Sequence, residues 1–289
     1  MSFYVVTDSA ANIPTRLLRE KRIEQVTLSY TMRGEVLRCE DLDSFDGKAY
    51  FDALRNREVV STSLVNPSQF KQKFEPLLKS GQDVMYIGLS SAVSGTVQSA
   101  RIAAEELAEE LGSEHQVYVF DSLGAALGEG MQAFRAAELR DEGYSCREAY
   151  DVLMNECQHM IQVFTVGDLK HLHRTGRLSG LSALVGSTLH VNALLKGNEQ
   201  GQIVSYGKTI GRKRAISMLA DAYKQKHDPS RKKLVCIAHC DCEPEANALA
   251  DKIRQIDAPD EILIVCYEPV TGSHVGPDTI ALFFMGDKR

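Results

Sequence analysis

The sequence predicts an α/β fold of two domains: a parallel α/β/α sheet domain, followed by a second α/β domain with a mixed sheet. Three observations support this prediction. The length of 289 residues corresponds to about two domains of ordinary size, and a hydrophobic fraction of 44% suffices for packed cores. In the first half, short apolar runs alternate with helical patterns, as a parallel sheet with helical crossovers requires. Near residue 160 the apolar runs come closer together, so we predict domains at residues 1–160 and 161–289.

The first half carries signals for strands and helices in alternation. Strands are predicted at residues 3–6, 84–89 and 117–120. Asn12 is expected to cap a helix with Pro14 in its first turn, and Asn66 with Pro67 to open another. The apolar residues that share one face of the latter are Phe70, Phe74, Leu77 and Leu78. A long helix is predicted from Ser94-Gly95 to Gly112, and two more helices end near Met160.

The sequence pattern of the second half predicts an α/β domain with a mixed sheet. Strands are predicted at residues 161–166, 203–206, 234–238, 262–266 and 280–284. Helices are predicted at residues 168–174, 215–223 and 244–253. Because some strands follow one another without a helix between them, part of the sheet should be antiparallel.

Composition and charge narrow the class of protein. The net charge of −6 argues against nucleic acid as a partner, because phosphate neutralisation needs a basic face. No run of about 18 apolar residues occurs, and the first residues lack a basic segment, so we expect neither a transmembrane segment nor a signal peptide. The seven cysteines are odd in number and irregularly spaced, which favours a cytoplasmic protein.

One segment, His239-Cys240-Asp241-Cys242, carries residue types that bind metals. It lacks a second ligand pair at zinc spacing, and it directly ends an apolar run. We therefore expect these residues to lie in the core, and we expect no metal.

Hydroxyl and carboxyl side chains gather after the apolar runs of the first half. The four groups are Thr7, Asp8 and Ser9, then a polar loop at residues 61–63, then Ser90, Ser91 and Ser94, then Asp121 and Ser122. Carboxyl ends of parallel strands meet at one edge of a sheet, where ligands bind. Each group alone is also explained as a helix cap, but four in succession favour a shared site.

The chemistry of these groups favours a carboxylate ligand. Ser94-Gly95-Thr96 opens a helix, whose free backbone N–H groups attract an anion. These segments contain no Lys or Arg, and the sequence has neither of the glycine-rich phosphate motifs. Hydroxyls and amides suit a singly charged carboxylate better than a phosphate.

A serine hydrolase is the alternative hypothesis. Gly88-Leu89-Ser90-Ser91-Ala92 lies between a strand and a helix and is close to the nucleophile-elbow motif. Ser90 or Ser91 would then be the nucleophile, His274 the base, and Asp121 or Asp278 the acid that orients it. His274 lies in a segment rich in glycine and proline, residues 271–278, which indicates a loop.

The whole chain resembles the DegV family, whose members bind fatty acids for bacterial fatty acid kinase. The matching segments are Thr7-Asp8-Ser9-Ala10, Asn12-Ile13-Pro14, Thr62-Ser63, Pro67-Ser68, Gly88-Leu89-Ser90-Ser91-Ala92-Val93-Ser94-Gly95-Thr96, Asp121-Ser122, Asp168-Leu169, Leu172, Gly176-Arg177-Leu178 and Gly272-Ser273-His274-Val275-Gly276-Pro277. They keep the family's order along nearly the whole chain. The Ser-Gly-Thr and His-x-Gly-Pro segments are the most specific together.

The resemblance implies a fold related to dihydroxyacetone kinase substrate domains, with a long-chain fatty acid held between the two domains. Its carboxylate would be bound by Thr62 and Ser94 with His274 nearby, and Ser63 or Ser91 could substitute. A separate ATP-dependent kinase subunit would convert the carboxylate to an acyl phosphate. The binding protein would need no cofactor and would not be the catalyst.

The chain also departs from the family pattern. Val97 stands where the family usually has an aromatic residue, Thr175 precedes Gly176-Arg177 where Gly-Gly-Arg is usual, and Val275 and Asp278 replace the Thr and final Gly of His-Thr-Gly-Pro-Gly. Asp278 places an acid four residues after His274, which puts the role of this histidine in question.

Two further groups of residues have a structural and a functional interpretation. The apolar runs at residues 161–166, 181–195 and 280–284 are expected to be core or to line an acyl tunnel. The basic cluster Lys208, Arg212, Lys213 and Arg214 is either a solvated helix start or, through Arg212 and Lys213 above all, a docking patch for the kinase.

Overall fold

The computed structural model describes residues 2–112, 114–178, 191–231 and 233–289. The chain divides into two compact units. Unit 1 comprises Met1–Phe45 with Ser61–Cys157, and unit 2 comprises Asp46–Val60 with Gln158–Arg289. The chain therefore changes unit at three points, whereas the sequence spacing predicted one change, near residue 160.

Seven strands and six helices lie between residues 2 and 157 of the described chain. The strands are β1 Tyr4–Asp8, β2 Ile23–Val26, β3 Ser29–Met32, β4 Glu35–Arg38, β5 Val60–Ser63, β6 Val84–Gly88 and β7 Val117–Asp121. The helices are α1 Thr15–Glu20, α2 Gly47–Arg55, α3 Pro67–Lys79, α4 Thr96–Leu111, α5 Leu127–Asp141 and α6 Cys146–Glu156.

Unit 1 is built on a parallel sheet with the strand order β2-β1-β6-β7. All five residues of β6 are buried. Because side chains alternate between the two faces of a strand, both faces of this sheet are covered. The helices pair as α3 with α4 and α5 with α6, and Phe70 of α3 packs against the Tyr86 ring with centroids 4.9 Å apart. The predicted parallel sheet with helical crossovers is confirmed.

Helix α3 begins as predicted, and α1 does not. Asn66 accepts the Gln69 N–H while the Gln69 side chain accepts the Asn66 N–H, a capping box followed by Pro67. Asn12, the predicted cap of α1, instead ends a short 3-10 helix at φ 57°, and Pro14 is the N-cap. The Asn12 prediction is wrong, because asparagine is also a residue that tolerates left-handed backbone.

A separate three-stranded sheet has the order β4-β3-β5, with β3 and β4 antiparallel. The sequence predicted a polar loop at residues 61–63, and this is wrong, since these residues form β5. The strand was missed because its residues alternate between half-buried and exposed, so no apolar run marks it.

The remainder of the described chain, up to residue 289, continues with six strands and four helices. The strands are β8 Met160–Thr165, β9 Val191–Gly197, β10 Ile203–Ile210, β11 Leu234–His239, β12 Glu261–Cys266 and β13 Ile280–Met285. The helices are α7 Leu169–Arg174, α8 Arg212–Lys226, α9 Glu243–Asp257 and α10 Pro269–Val275.

Unit 2 is built on a six-stranded sheet of order β10-β9-β8-β13-β11-β12. Strands β11 and β12 are parallel, and the other neighbouring pairs are antiparallel. The predicted mixed sheet is confirmed. Helices α8 and α9 pack on one face of it. Their core contacts include Leu219, Tyr223, Leu249 and Ile253 from the helices, and Ile161, Val163, Ile237, Leu282 and Phe284 from the sheet.

Residues 46–60, hereafter the strap, contribute α2 to unit 2. The Tyr50 hydroxyl donates to the Pro269 carbonyl at 2.8 Å. The Phe51 ring packs so closely on Gly272 that a Cβ there would lie 2.8 Å from Phe51 Cζ. Helix α2 therefore packs against α10. Within the described residues, no helix is both long and apolar enough to cross a bilayer.

Candidate functional site

The carboxyl ends of β1, β6 and β7 lie side by side in unit 1, because these strands are neighbours in a parallel sheet. From β1 the strand order runs to β2 on one side and to β6 on the other, which makes the β1–β6 junction a topological switch point. The backbone N–H of Leu89, just after β6, donates to Asp8 at the end of β1 over 3.4 Å. The predicted edge therefore exists.

Three of the predicted hydroxyls support the fold instead of facing a ligand. Each is buried and bonds a backbone group from elsewhere in unit 1. The bonds are Thr7 Oγ1 to the Ile87 carbonyl at 3.0 Å, Ser122 Oγ to the Gly88 carbonyl at 2.7 Å, and the Leu28 N–H to Ser9 Oγ at 3.1 Å. Their position after strands is explained by these bonds.

A buried acid pair lies at the same edge. Asp8 and Glu129 are both fully buried, and Asp8 accepts the Tyr86 hydroxyl at 2.6 Å. Burial raises the pKa of Asp8 to about 6, although bonds from Tyr86, two backbone N–H groups and Glu129 act to lower it. Two touching buried carboxyls cannot both ionise. One of the two carboxyls therefore holds a proton.

Ser94 stands at the start of α4, as the sequence predicts. Its Oγ is 2.8 Å from Thr96 Oγ1 and accepts the Thr96 N–H at 3.3 Å. The N-cap is Gly95, which has no side chain to cap the helix. The start of this 16-residue helix therefore brings together a half-buried serine hydroxyl just before the N-cap, a threonine hydroxyl in the first turn and the positive end of the helix dipole.

Thr62 and Ser63 lie on β5 rather than in a loop, and they have different exposure. Because side chains alternate along a strand, Thr62 is half-buried and Ser63 is exposed. Leu64, the next residue, reaches Gly95, so that a Cβ built there would lie 3.1 Å from Leu64 Cδ2. The end of β5 therefore lies beside the start of α4, which brings the two predicted hydroxyl segments together within unit 1.

The geometry around Ser90 and Ser91 does not fit a nucleophile elbow. Neither residue has positive φ, and α4 begins only at Thr96, whereas an elbow is a strained strand-to-helix turn. Ser90 is buried and its Oγ accepts the Ala92 N–H at 3.3 Å, while Ser91 is exposed. The single histidine of unit 1, His115, is 3.8 Å from Asp83, before β6.

Both acids that the hydrolase hypothesis requires are bound elsewhere. Asp121 Oδ1 accepts the N–H groups of Ser91 and Leu123 at 3.2 and 3.1 Å. Asp278 Oδ1 accepts from Arg55 at 2.7 Å. From the sequence, the role of His274 is in question because an acid stands at position 278. The structure shows that this carboxylate is bound to Arg55.

His274 lies in the last turn of α10 in unit 2, and the predicted loop at residues 271–278 is therefore wrong over residues 271–275. The glycine at 272 suggested a loop, but it is a contact position beneath the Phe51 ring. Burial, together with the nearby Arg177 and His171, lowers the pKa of His274 from 6.5 to about 4. At neutral pH the imidazole is uncharged and carries one N–H donor.

Helix α7 holds the backbone around His274. The ring of His171 contacts the Ser273 carbonyl through Nε2 at 2.6 Å. The Thr175 hydroxyl donates to the Leu172 carbonyl at 2.8 Å, and its Oγ1 also lies 3.3 Å from the His274 carbonyl. Gly276 ends α10 at φ 82°, and a Cβ there would lie 2.8 Å from His171 Cδ2. Glycine is required here both for its backbone and for the space beside His171.

The remaining predicted residues divide between the core and the surface. Arg212 bonds Glu245 at 2.8 Å across the starts of α8 and α9, whereas Lys213 is exposed. His239, Cys240 and Cys242 are buried. Among the described residues, no group of three or more His, Cys, Asp or Glu side chains is placed to hold a metal.

The residues predicted to be core or to line a tunnel lie on both faces of the unit 2 sheet, because side chains alternate along a strand. Ile161, Val163, Ile280, Leu282 and Phe284 belong to the core cluster beneath α8 and α9. Their alternating neighbours Phe164, Ala281 and Phe283 are also buried and lie on the opposite face. Residues 181–190 of the predicted run 181–195 lie outside the described residues.

Four important residues were not found from the sequence: Arg55, Tyr86, Glu129 and His171. Each lies in an ordinary strand or helix pattern, and its partner is more than 70 positions away in the chain. No local signal could have identified them.

Comparison with known proteins yields a family model that matches residues 2–287, described as the DegV family of uncharacterised proteins. A DegV domain-containing protein of Clostridium perfringens is 34% identical over 291 positions, covering 99% of this chain and 98% of its own. The solved structure of DegV from Bacillus subtilis, described as a fatty acid binding protein, has a TM-score of 0.85 and 30% identity, covering 99% of this chain and 100% of its own. A DegV family protein from Thermus thermophilus, described for its fatty acid binding, has a TM-score of 0.87 and 27% identity, with coverage of 99% and 100%.

Proposed function

Because this chain belongs to the DegV family, we propose that it binds a long-chain fatty acid and presents the carboxylate to a separate ATP-dependent kinase subunit. The observation that supports the proposal is the approach of Leu64 to Gly95, because it brings the end of β5, which carries Thr62, beside the start of α4, which follows Ser94. Relatives from Bacillus subtilis and Thermus thermophilus that share the fold are described as binding fatty acids.

The start of α4 supplies the donors that a carboxylate needs. The Ser94 and Thr62 hydroxyls each give one O–H, and the first turn of α4 adds backbone N–H groups and the helix dipole. Ser63 and Ser91 are secondary candidates, because both are more exposed than Thr62 and Ser94. Neutral donors suffice for one negative charge, which explains the absence of Lys and Arg from the segments 61–63 and 90–96.

His274 is proposed as a further contact of the same carboxylate. Its neutral imidazole offers an N–H donor at physiological pH, because its pKa is lowered to about 4. A carboxylate beside the ring would stabilise the imidazolium and raise this pKa again. Fatty acid binding and protonation of His274 should therefore be coupled.

The acyl chain supplies most of the binding free energy, at about 0.8 kcal/mol for each buried CH₂ group. We assign the tail to the face of the unit 2 sheet opposite α8 and α9. Phe164 and Phe283 are the aromatic side chains of β8 and β13 on that face, and neither belongs to the core cluster under the helices. Unit 2 would thus contribute the acyl pocket.

The kinase subunit must reach the carboxylate for an acyl phosphate to form, and a basic surface would steer an acidic partner. Lys213, with the exposed Lys208 and Arg214, is the docking patch that we propose. Arg212 contributes to it less directly, because its guanidinium is bound to Glu245. In this proposal the protein positions the substrate, and catalysis belongs to the kinase.

The experiment is a titration of the purified protein with palmitate, comparing the wild type with Thr62→Ala/Ser94→Ala. Each lost hydrogen bond to a charged group costs about 1.5 kcal/mol or more, so the dissociation constant should rise roughly a hundredfold. The control is Ser80→Ala/Ser230→Ala, which removes two exposed hydroxyls, one at the end of α3 and one in unit 2, outside the proposed site. Unchanged palmitate affinity in the site variant would reject the assignment.

The His274 contact has a separate readout. The imidazole pKa is measured by NMR with and without bound palmitate, and it should rise when palmitate is present. An imidazole pKa that stays at about 4 in the saturated protein would remove His274 from the site.

A further inference from the structure

Arg55, the last residue of α2 in the strap, bonds three carboxylates of unit 2. Its guanidinium lies 2.9 Å from Asp52, 2.5 Å from Asp241 and 2.7 Å from Asp278, and it also donates to the Asp241 carbonyl at 3.4 Å. One third of its side chain is exposed. Asp52 is in the same helix, but Asp241 and Asp278 come from two different turns, so Arg55 connects α2 to both.

The two turns that Arg55 joins both contain strained backbone. Asp241, after β11, has φ 54°, and Asp278, before β13, has φ 61°. Neither is a glycine, so each occupies a conformation that most residues avoid. Backbone bonds tie the turns together, since the Asp278 N–H donates to the Cys240 carbonyl at 2.9 Å and the Cys240 N–H donates to Thr279 at 2.9 Å. Two carboxylates therefore converge on one guanidinium.

The Asp278 turn is the far end of the segment that begins at His274. On its near side, α7 fixes the backbone through His171 and Thr175, at Ser273 and His274. On its far side, Thr279 Oγ1 donates to the Val275 carbonyl at 3.0 Å, and Arg55 holds the Asp278 side chain. Without the guanidinium, the carboxylates of Asp241 and Asp278 would repel each other, because backbone hydrogen bonds keep their two turns together.

We propose that Arg55 is a positioning residue for His274: by neutralising Asp241 and Asp278 together, it holds the backbone of residues 274–278 in the observed conformation. As a consequence for ligand binding, which rests on the proposed function, Arg55 sets the affinity for the fatty acid carboxylate without touching it. The chain carries an acid at position 278 because the arginine of the strap compensates it.

The test is a double-mutant cycle of Arg55→Ala and Asp278→Gly with two readouts. The first is the His274 imidazole resonance and its pKa by NMR, which need no ligand, and the second is the palmitate dissociation constant. Arg55→Ala leaves two acids facing each other, so the His274 signals should shift and the dissociation constant should rise about tenfold. Asp278→Gly removes one acid and relieves the strained backbone, so its effect should be smaller.

The double variant distinguishes positioning from general loss of packing. It should match Asp278→Gly alone, because the repulsion that Arg55 relieves is then absent. Additive effects of the two changes would overturn the proposal, as would unchanged His274 signals in Arg55→Ala. Arg55→Lys keeps the charge but not the forked geometry, so it should fall between the wild type and Arg55→Ala, and it carries the test if the alanine variant does not fold.

Lys48→Ala is the matched control. Lys48 lies in the same helix and pairs with Asp52 at 2.6 Å, with 73% of its side chain exposed, and its removal should leave both readouts unchanged. If the wild type binds no palmitate, the proposed function fails, while the NMR readout still decides whether Arg55 positions His274.

Discussion

Units 1 and 2 each bury a titratable side chain, Asp8 in unit 1 and His274 in unit 2, and the pKa values of the two shift in opposite directions. In unit 1, burial raises the pKa of Asp8 to about 6, and the groups that bond it are the Tyr86 hydroxyl, two backbone N–H groups and Glu129. In unit 2, burial beside Arg177 and His171 lowers the pKa of His274 to about 4. Burial disfavours the charged form in both cases, so the same physical cause acts on an acid in one unit and on a base in the other.

The units also differ in how they hold the segment that carries the candidate site residue. In unit 1, backbone and hydroxyl bonds fix the turn after β6, since the Ser90 N–H donates to the Gly124 carbonyl at 2.9 Å and Leu89 to Asp8. In unit 2, an ion cluster at Arg55 and a histidine contact at Gly276 fix the end of α10. High salt should therefore weaken the contacts that hold the end of α10 in unit 2 more than those that hold the turn after β6 in unit 1, because salt screens interactions between charges.

The largest expected effect comes from Gly276, which compares one helix end in unit 2 with a matched end in unit 1. Gly276 and Gly112 both end helices, at φ 82° and 84°. An added Cβ meets His171 at 2.8 Å in the first case and nothing within 4 Å in the second. Gly276→Ala should cost about 2 to 4 kcal/mol and Gly112→Ala about 1 to 2 kcal/mol in the free energy of unfolding.

Urea denaturation of both alanine variants measures this difference. Equal losses of unfolding free energy would show that the left-handed backbone alone determines the cost of both substitutions, and that the His171 ring moves aside without cost. A larger loss for Gly276→Ala would show that the His171 contact fixes the end of α10.

The next effect tests the acid pair of unit 1. Tyr86→Phe removes the hydroxyl that donates to Asp8 at 2.6 Å in a fully buried position. Loss of a hydrogen bond to a buried charged group should destabilise the protein by about 1.5 to 3 kcal/mol. Tyr4→Phe is the control, because its hydroxyl contacts Ser80 in an exposed position at 3.3 Å. Similar thermal unfolding of the two variants would contradict a role for Tyr86 in stabilising Asp8.

The sequence was sufficient where a local pattern decides the structure. Asn66 and Pro67 correctly predict the start of α3, and Gly112 predicts the end of α4, because helix caps depend on neighbours three or four positions away. It was insufficient for β5, whose partners are in β3, and for α10, where glycine and proline suggested a loop. The hydroxyls illustrate the same limit: Thr7, Ser94 and Ser122 look alike in sequence, and only long-range bonds separate the buried ones from Ser94.

A pH prediction makes the contrast between the units measurable. His274 has a lower pKa in the folded protein, about 4, than its ordinary 6.5, so the unfolded chain binds the extra proton and stability falls as pH falls through this range. Asp8 has a higher pKa when folded, about 6, than its ordinary 3.8, so its contribution falls as pH rises through that range. The two residues therefore give slopes of opposite sign between about pH 4 and 6.

Denaturant unfolding at several pH values, with His274→Asn and Asp8→Asn, checks these signs. The free energy of unfolding should rise less steeply with pH between 4 and 6 in His274→Asn than in the wild type. It should rise more steeply in Asp8→Asn. A change of slope in the same direction for both variants would contradict the opposite effects of burial in the two units.

The smallest expected effect concerns the protonation state of Glu129. If Glu129 is the protonated member of the acid pair, Glu129→Gln replaces one neutral donor with another of similar shape, and the loss of stability should stay below about 1 kcal/mol. Glu129→Ala removes the donor and leaves a cavity, so it should cost about 2 kcal/mol or more. Glu129→Gln should also leave the Asp8 contribution to the pH profile in place, since a neutral donor still faces Asp8. A glutamine variant as unstable as the alanine variant would mean that Glu129 is ionised, and the proton would then belong to Asp8.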